Sequence, residues 1–311
     1  MRTNKTNQIE WTYDSNREQA EALWPSLGFS NDYIFGAVLK SNPDLCRRLL
    51  ECVLDIPIRK VVIVTPQRES SPSLQAKSVR LDAYVGDDSG RVFDVEMQRY
   101  EARHLVKRAR YYQAVMDTEQ LDKGTDYQDL PDAFVIFFCT FDPFGRGLKR
   151  YTYRQACKED GSFAPWDGSE RVYLNTTGTR GDISDDLQSV LDYIAGHNNT
   201  ENALVSDIEH AVTDVLSSEE RRREFVDMQL RMQDEHRLGH EEGFAIGHAE
   251  GLEQGIEQGL EQGLEQGRAD TLALLSRLSQ ALAEANRSDE LPKALADSDY
   301  LDALCKEFGI K

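Results

Sequence analysis

Two short segments with alternating apolar and polar residues flank one tight turn, and they constrain the fold more than any other feature of the chain. The first segment covers residues 79–85, the turn 86–90 and the second segment 91–98. Successive side chains of a strand point to opposite faces, so the segments predict a β-hairpin with one apolar and one polar face. The apolar face is expected to hold Leu81, Ala83, Val85, Phe93, Val95 and Met97.

The polar face of this hairpin is crowded with acids. A turn centred near residue 88 or 89 sets Asp82 opposite Asp94 or Glu96. Like charges in opposed positions of a sheet are destabilising, which indicates a cation between them. We interpret Asp87 and Asp88 as turn-forming residues. For Asp94 two roles remain open, a structural one and one in a functional site.

Carboxylates on adjacent strands suit the hydrolysis of phosphodiesters. That reaction uses a metal ion to activate water and to neutralise charge on the phosphate, and Mg²⁺ binds to few carboxylates while it keeps several waters. Asp82 and Glu96 therefore form a candidate metal site, and Gln98, on the same face, could orient the attacking water. The other interpretation of the same pattern is a solvated polar face of an edge hairpin.

The chain of 311 residues has a net charge of −19, which argues at first against a nucleic-acid partner. Residues 1–200 carry −5 and residues 201–311 carry −14, so most of the excess lies outside the part that holds the hairpin. Five cysteines without a CxxC spacing favour reduced thiols in the cytoplasm. We find no apolar stretch that could span a membrane and no signal-peptide pattern at the N-terminus.

The pattern around the hairpin predicts an α/β core with a mixed sheet. Ser30 is the expected cap of a first helix, and the long helix that follows the hairpin is expected to start directly after Gln98. We expect helices at 31–39, 44–54, about 100–121, within 182–237 and at about 270–284, and strands at 59–64, 132–139, 149–154 and 171–174.

Four basic residues after the hairpin share one stripe if the following helix is ideal. They fall within about 80° of one another at 100° per residue. Because phosphate contacts need positive charge at the right reach, the stripe predicts DNA contacts; a solvated helix face is the alternative. The residues are Arg99, Arg103, Lys107 and Arg110.

Glycine stands at every fourth position from residue 239 to residue 267, and Leu or Ile follows four of these glycines. Each glycine costs an isolated helix on the order of 1 kcal/mol relative to Ala, whereas small residues let two helices approach closely. A period of four favours a right-handed supercoil. We expect a helix that is stable when it pairs with another copy, in a dimer or higher oligomer; a flexible linker is the alternative.

The chain contains seven short motifs in a fixed order: Asn31–Phe35, Asp82, Glu96–Gln98, Arg108–Tyr112, Lys123–Tyr127, Phe141–Gly145 and Leu174–Gly178. They resemble those of the PD-(D/E)XK nuclease superfamily, in the variant where Gln replaces the usual Lys. More narrowly, the chain is similar to the Rpn family of recombination-promoting nucleases, a transposase-like group. The glycine repeat also recurs in that family.

The resemblance implies a restriction-endonuclease-like fold and a metal-dependent DNA endonuclease. It implies that Asp82 and Glu96 bind Mg²⁺, with Mn²⁺ or Ca²⁺ left open, and that Gln98 positions water. Asp32 matches an acid that helps to hold the metal or a water; capping of its helix is the alternative role. Since Gln carries no positive charge, stabilisation of charge then falls more heavily on the metal.

The resulting prediction is a cytoplasmic, Mg²⁺-dependent DNA endonuclease that promotes recombination and self-associates. The alternative is a catalytically weak DNA-binding or scaffold protein that oligomerises through the repeat. The expected organisation is an extension at 1–29, a nuclease-like domain at 30–180, a charged helical segment at 181–238, the glycine repeat at 239–267 and C-terminal helices at 268–311.

Overall fold

The computed structural model of the protein describes residues 13–70, 79–101, 104–121, 124–197 and 201–310. Helices and strands alternate in its first half, and helices follow in its second half. The strands are β1 (Val61–Ser70), β2 (Val79–Asp87), β3 (Val92–Gln98), β4 (Ala133–Cys139), β5 (Arg150–Tyr153) and β6 (Ser169–Asn175). The helices are α1 (Tyr13–Leu23), α2 (Asp32–Ser41), α3 (Pro43–Leu54), α4 (Leu105–Gln120), α5 (Asp185–Ile194), α6 (Ala203–Ser217), α7 (Glu219–Glu284), α8 (Leu291–Ala296) and α9 (Ser298–Glu307).

Six strands of the described residues form one mixed sheet in the order β1-β2-β3-β4-β6-β5. The pairs β1–β2, β2–β3 and β5–β6 are antiparallel, and the central pairs β3–β4 and β4–β6 are parallel. This arrangement confirms the predicted α/β class with a mixed sheet. Gln98, Cys139 and Asn175 lie side by side at the carboxyl ends of the parallel strands, the edge where open α/β sheets commonly bind ligands.

Both faces of the sheet are covered, which explains why β4 is apolar along its whole length. One face packs against residues of α2, α3, α5, α6 and the start of α7, and the other packs against α4. Trp24 is buried on the first face, and its indole N–H donates to the carbonyl oxygen of Leu216 in α6 at 2.9 Å. Parts of the expected extension 1–29 and of the charged segment 181–238 thus pack into the same core as the sheet.

Three predicted element boundaries differ from the structure. Asn31, and not Ser30, caps α2, because its side-chain oxygen accepts from the N–H groups of Tyr33 and Ile34. Strand β1 is longer than predicted, since its pairing with β2 continues to residue 70. Helix α4 starts at Leu105 and not directly after Gln98, because His104 has a left-handed backbone with φ 65° that a helix cannot include.

Helix α7 includes the whole glycine repeat, so the segment 239–267 is helical in the structure. The chain divides into two compact units between Arg231 and Met232. In the second unit, Leu278 and Leu282 of α7 pack with Ala294, Leu304 and Cys305 of the last two helices. In the described part of the chain, no helix combines the length and the apolarity that a membrane crossing requires.

Candidate active site

Strand β2 is interrupted at Asp82. From Val79 to Gly86, all residues of β2 except Asp82 have a partner on β1. Gln67 of β1, which would face Asp82, has a left-handed backbone with φ 49°. The alternation of side chains shifts at this point. Leu81 packs on the α4 side, whereas Ala83 packs on the opposite side. The prediction that Leu81 and Ala83 share one face is therefore wrong, because it assumed a regular strand.

Asp82 and Glu96 face each other at the point where β2 and β3 separate. The register pairs Ala83 with Val95, so Glu96, and not Asp94, stands opposite Asp82. The backbone N–H of Asp82 donates to Oε1 of Glu96 at 2.9 Å, and the N–H of Met97 donates to Oδ2 of Asp82 at 2.9 Å. Two backbone donors at the end of the ladder thus hold the two carboxylates in place.

Asp94 is a third acid of the same site. Its side chain is fully buried (0% exposed), no ordinary N–H or O–H donor of the described residues reaches its oxygens, and its side-chain partner is the carboxyl of Glu96. Burial raises its pKa well above the usual range, and the negative charges of Glu96 and Asp82 and the side-chain bond with Glu96 add to this effect. A buried acid beside two further acids is costly, which favours a role in a site over a solvated hairpin face.

The other two acids are also harder to ionise than usual. Burial, and after it the charge of Glu96, raise the pKa of Asp82 to about 8, while the hydrogen bond from the N–H of Met97 opposes the shift. Burial raises the pKa of Glu96 as well, against the attraction of Arg108. The cluster therefore favours a state with fewer negative charges or with an added cation.

Arg108 lies against this cluster, and the sequence had given it no role. Its Nη2 donates to Oε2 of Glu96 at 3.0 Å. Its guanidinium lies 4.9 Å from the ring centre of Phe137 on β4 and 5.4 Å from that of Tyr112 on the same helix. Arg108 and Tyr112 are the first and last residues of one of the motifs that resemble the PD-(D/E)XK superfamily. This motif is the sequence signal for Arg108, and it does not reveal an ion pair with β3.

Gln98 and Asp32 are the two other predicted site residues, and they lie on two different elements. Gln98 is half-buried at the end of β3, and its Nε2 donates to the carbonyl oxygen of Tyr100 at 2.6 Å. Asp32 is the first residue of α2, and its charge contributes to the raised pKa of Asp82. Its carboxylate lies 4.0 Å from Arg80 on β2 and accepts from the N–H of Tyr33. Asp32 is thus the first residue of α2 and also lies close enough to Asp82 for its charge to act there.

The turn acids are held away from this cluster by their own partners. Asp87 accepts from the backbone N–H groups of Ser89 and Arg91 and pairs with the Arg91 side chain at 2.6 Å. Asp88 pairs with Arg59. Both residues shape the turn at the far end of the hairpin.

Residues 29–160 match the sequence model of a family described as PD-(D/E)XK nuclease family transposase. The match supports a PD-(D/E)XK transposase-like family for this segment of the chain. The search of curated proteins and the search of solved structures gave no match. The matched residues 29–160 contain the acids of the cluster, and the match supports a nuclease-type function at this coarse level.

The predicted basic stripe is not one face of a helix. Arg99 precedes α4 and lies near the ring of Tyr100, and Arg103 lies outside the described residues. Lys107 and Arg110 are exposed on α4. The prediction of a single stripe of four is wrong, because α4 begins six residues after Arg99. Arg110 also borders a polar cavity of about 250 Å³ together with Gln113, Asp117 and Arg171.

The acids of the cluster, Asp82, Asp94 and Glu96, offer carboxylate oxygens, which suit a hard divalent cation. The cluster sets three acids against the single guanidinium of Arg108, so an added cation would offset charge there. Within the described ranges, no group of three or more His, Cys, Asp or Glu side chains is arranged to hold an ion by itself. Mg²⁺ commonly binds through one or two carboxylates, waters and a substrate phosphate, whereas Ca²⁺ takes six to eight oxygens. The residues therefore fit an open Mg²⁺ site better than a closed Ca²⁺ site.

Proposed function

We propose that this chain is a metal-dependent DNA endonuclease in which Asp82 and Glu96 hold the metal. The pair of backbone hydrogen bonds that fix these two carboxylates opposite each other carries the proposal. Because these bonds already hold the two carboxylates opposite each other, the proposal requires no rearrangement of the strands before a cation binds. The buried Asp94 beside them has a strongly raised pKa, and a cation bound nearby would favour its ionised form.

A bound divalent cation would activate water and neutralise charge on the phosphate. Of the chain's own groups, Gln98 is proposed to orient the attacking water through its amide, since it shares the β3 face of Glu96. Asp32 is proposed to hold a water at the start of α2, from where its charge already reaches Asp82. Mg²⁺ is the proposed ion because the site is open and built from carboxylates.

The proposed substrate is DNA, in line with the nuclease family of residues 29–160. Lys107 and Arg110 are proposed phosphate contacts because both are exposed on the helix that carries Arg108. Arg99 and Arg103 are proposed to add positive charge between β3 and α4. Promotion of recombination is proposed from the resemblance to the Rpn family and agrees with the transposase description of the matched family.

Self-association is proposed through the glycine repeat of α7. Leu252, Ile256, Leu260 and Leu264 are each more than half exposed. A Cβ added at any of the eight repeat glycines would meet no atom within 4 Å. The single chain thus gains no packing from these glycines, whereas a second helix would gain close approach. A cytoplasmic location is proposed because all five cysteines are free.

One observation supports the alternative of a DNA-binding or scaffold protein. Both oxygens of Glu96 already accept hydrogen bonds from the protein, from Asp82 and from Arg108. A core that neutralises its own acid in this way is compatible with a protein that binds DNA through exposed cations and assembles through α7.

The two functions are separated by incubating the full chain with supercoiled plasmid DNA. The endonuclease proposal expects nicked or linear DNA with Mg²⁺, intact DNA with excess EDTA, and renewed cleavage when Mg²⁺ exceeds EDTA. Intact plasmid under all three conditions, at protein concentrations that shift the DNA in a gel, favours the scaffold.

A further inference from the structure

Hydrolysis of a phosphodiester develops negative charge on the phosphate oxygens, and fixed cationic donors stabilise that charge. At the carboxyl end of β3, Gln98 is neutral and offers an amide. The closest cation to Glu96 in the described structure comes from the helix, where Arg108 donates to Glu96 at 3.0 Å. The question is whether this guanidinium only neutralises Glu96 or has a second partner.

The position of the guanidinium is fixed on two sides. Glu96 and Phe137 are partners in the parallel register of β3 and β4, so Arg108 lies over both strands at once. The ring of Phe137 is 4.9 Å and that of Tyr112 5.4 Å from the guanidinium carbon. Aromatic faces attract a guanidinium and restrain its plane without using its N–H donors.

Arg108 retains donor capacity beyond Glu96. A guanidinium has five N–H donors, and the bond to Glu96 uses Nη2. Nε is buried and has no acceptor among the described residues. The Arg108 side chain is 31% exposed, compared with 3% for the Glu96 side chain. The cation thus reaches solvent beside the buried acids, where a substrate oxygen could accept from it.

We propose that Arg108 contacts a non-bridging oxygen of the scissile phosphate and is a catalytic residue of the reaction. This inference rests on the proposed endonuclease function. The guanidinium supplies from α4 the positive charge that Gln98 cannot supply from β3. Arginine suits this role because it stays protonated and its planar donors match phosphate oxygens.

The reaction balances without a further reactant. The water oxygen bonds to phosphorus and one ester P–O bond breaks. One water proton ends on the leaving oxygen as a hydroxyl, and the other stays on the new phosphate monoester until it passes to solvent. Arg108 keeps all its protons and donates hydrogen bonds while the charge on the phosphate oxygens rises.

The test compares wild type, R108Q, R108K and R47Q. Arg47 is the matched control because it is also a partly exposed arginine in a helix, paired with Asp44 and Glu51 away from the acids. Nicking rates are measured with Mg²⁺, and Ca²⁺ binding is measured by calorimetry on the DNA-free proteins. R108Q is expected to lose at least about 100-fold in rate, R108K to lie between R108Q and wild type, and R47Q to stay within about twofold.

The Ca²⁺ affinity distinguishes a catalytic role of Arg108 from a role in which Arg108 only holds Glu96 in position. R108Q is expected to bind Ca²⁺ at least as tightly as wild type, because a neighbouring positive charge is removed. Ca²⁺ affinity that falls in parallel with the rate would overturn the inference in favour of a positioning role. So would an R108Q rate equal to that of wild type, or a full rate in R108K if R108Q does not fold. A wild-type chain that leaves the plasmid intact overturns the proposed function first and this inference with it.

Discussion

The backbone N–H of Asp82 donates to Oε1 of Glu96 on the neighbouring strand at 2.9 Å, at the one position between Val79 and Gly86 where β2 has no partner on β1. Irregular positions in a sheet often redirect side chains next to active sites. Here the irregularity leaves Asp82 free of the β1 ladder and fixes it to Glu96. The catalytic proposal therefore depends on local backbone geometry as much as on residue type.

The carboxylate cluster should make the metal-free chain less stable as the pH rises. The pKa of Asp82 is raised to about 8 and that of Asp94 is also raised. The folded chain therefore binds more protons than the unfolded chain between about pH 4, the ordinary value for Asp, and pH 8. The free energy of unfolding falls with pH wherever the folded state binds more protons. Urea unfolding in EDTA at pH 5 and pH 8 measures this difference.

Replacing Asp94 by Asn should stabilise the metal-free chain at pH 8, by about 1–3 kcal/mol, because a buried acid that Glu96 and Asp82 repel is replaced by a neutral amide that can donate to Glu96. Asp87→Asn is the matched control. Asp87 is also buried, but it pairs with Arg91 and accepts two backbone N–H groups, so this change should destabilise. Thermal melting in EDTA compares both variants, and a less stable Asp94→Asn protein at pH 8 would contradict the assignment of Asp94 as an uncompensated acid.

Gly36→Ala should destabilise the fold by about 1–3 kcal/mol. A Cβ at this position of α2 would lie 2.8 Å from Cβ of Pro66 and 3.0 Å from the carbonyl oxygen of Asp82. The helix must move away from the two strands or push Asp82 out of place. Gly28→Ala is the control, since its Cβ would meet nothing within 4 Å. Equal melting temperatures for the two variants would disprove the close packing of α2 under Asp82.

Lys107→Gln and Arg110→Gln should each weaken DNA binding and its salt dependence. One phosphate contact contributes about −0.9 to the slope of log K against log salt, so each variant should reduce the slope by up to about this amount. Fluorescence anisotropy with a short duplex in Ca²⁺ gives the slopes. Lys40→Gln, an exposed lysine of α2, is the control. Slopes identical to wild type would exclude Lys107 and Arg110 as phosphate contacts.

The double variant Gly255→Ala/Gly259→Ala distinguishes a paired repeat helix from a single one. Alanine should stabilise an unpaired helix by roughly 1 kcal/mol per site, since beyond the backbone of the helix itself an added Cβ would meet nothing within 4 Å at either position. In a close helix pair the added methyl groups separate the helices, so the oligomer should dissociate. Sedimentation of the full chain over a range of concentrations measures the effect. An unchanged molecular mass would argue against pairing through these glycines.

The sequence predicted what depends on local pattern. Alternation placed the hairpin, and the continuous apolar run placed β4. The break at Asp82 was not predictable, because it arises from the backbone of Gln67 on another strand. Arg108 was missed because α4 begins only after the left-handed His104, and the contact of Arg108 with Glu96 depends on how this helix lies against the sheet. Such long-range geometry leaves no local signal.

The most direct test of the central claim is the plasmid-nicking rate with Mg²⁺ of wild type, Asp82→Asn, Glu96→Gln and Asp88→Asn. Asp88 belongs to the same hairpin but pairs with Arg59 at its turn. The proposal expects Asp82→Asn and Glu96→Gln to stay folded and to lose cleavage by at least about 100-fold, while Asp88→Asn cuts DNA like wild type. Cleavage by either folded Asp82→Asn or folded Glu96→Gln at the wild-type rate would contradict a metal site formed by these two carboxylates.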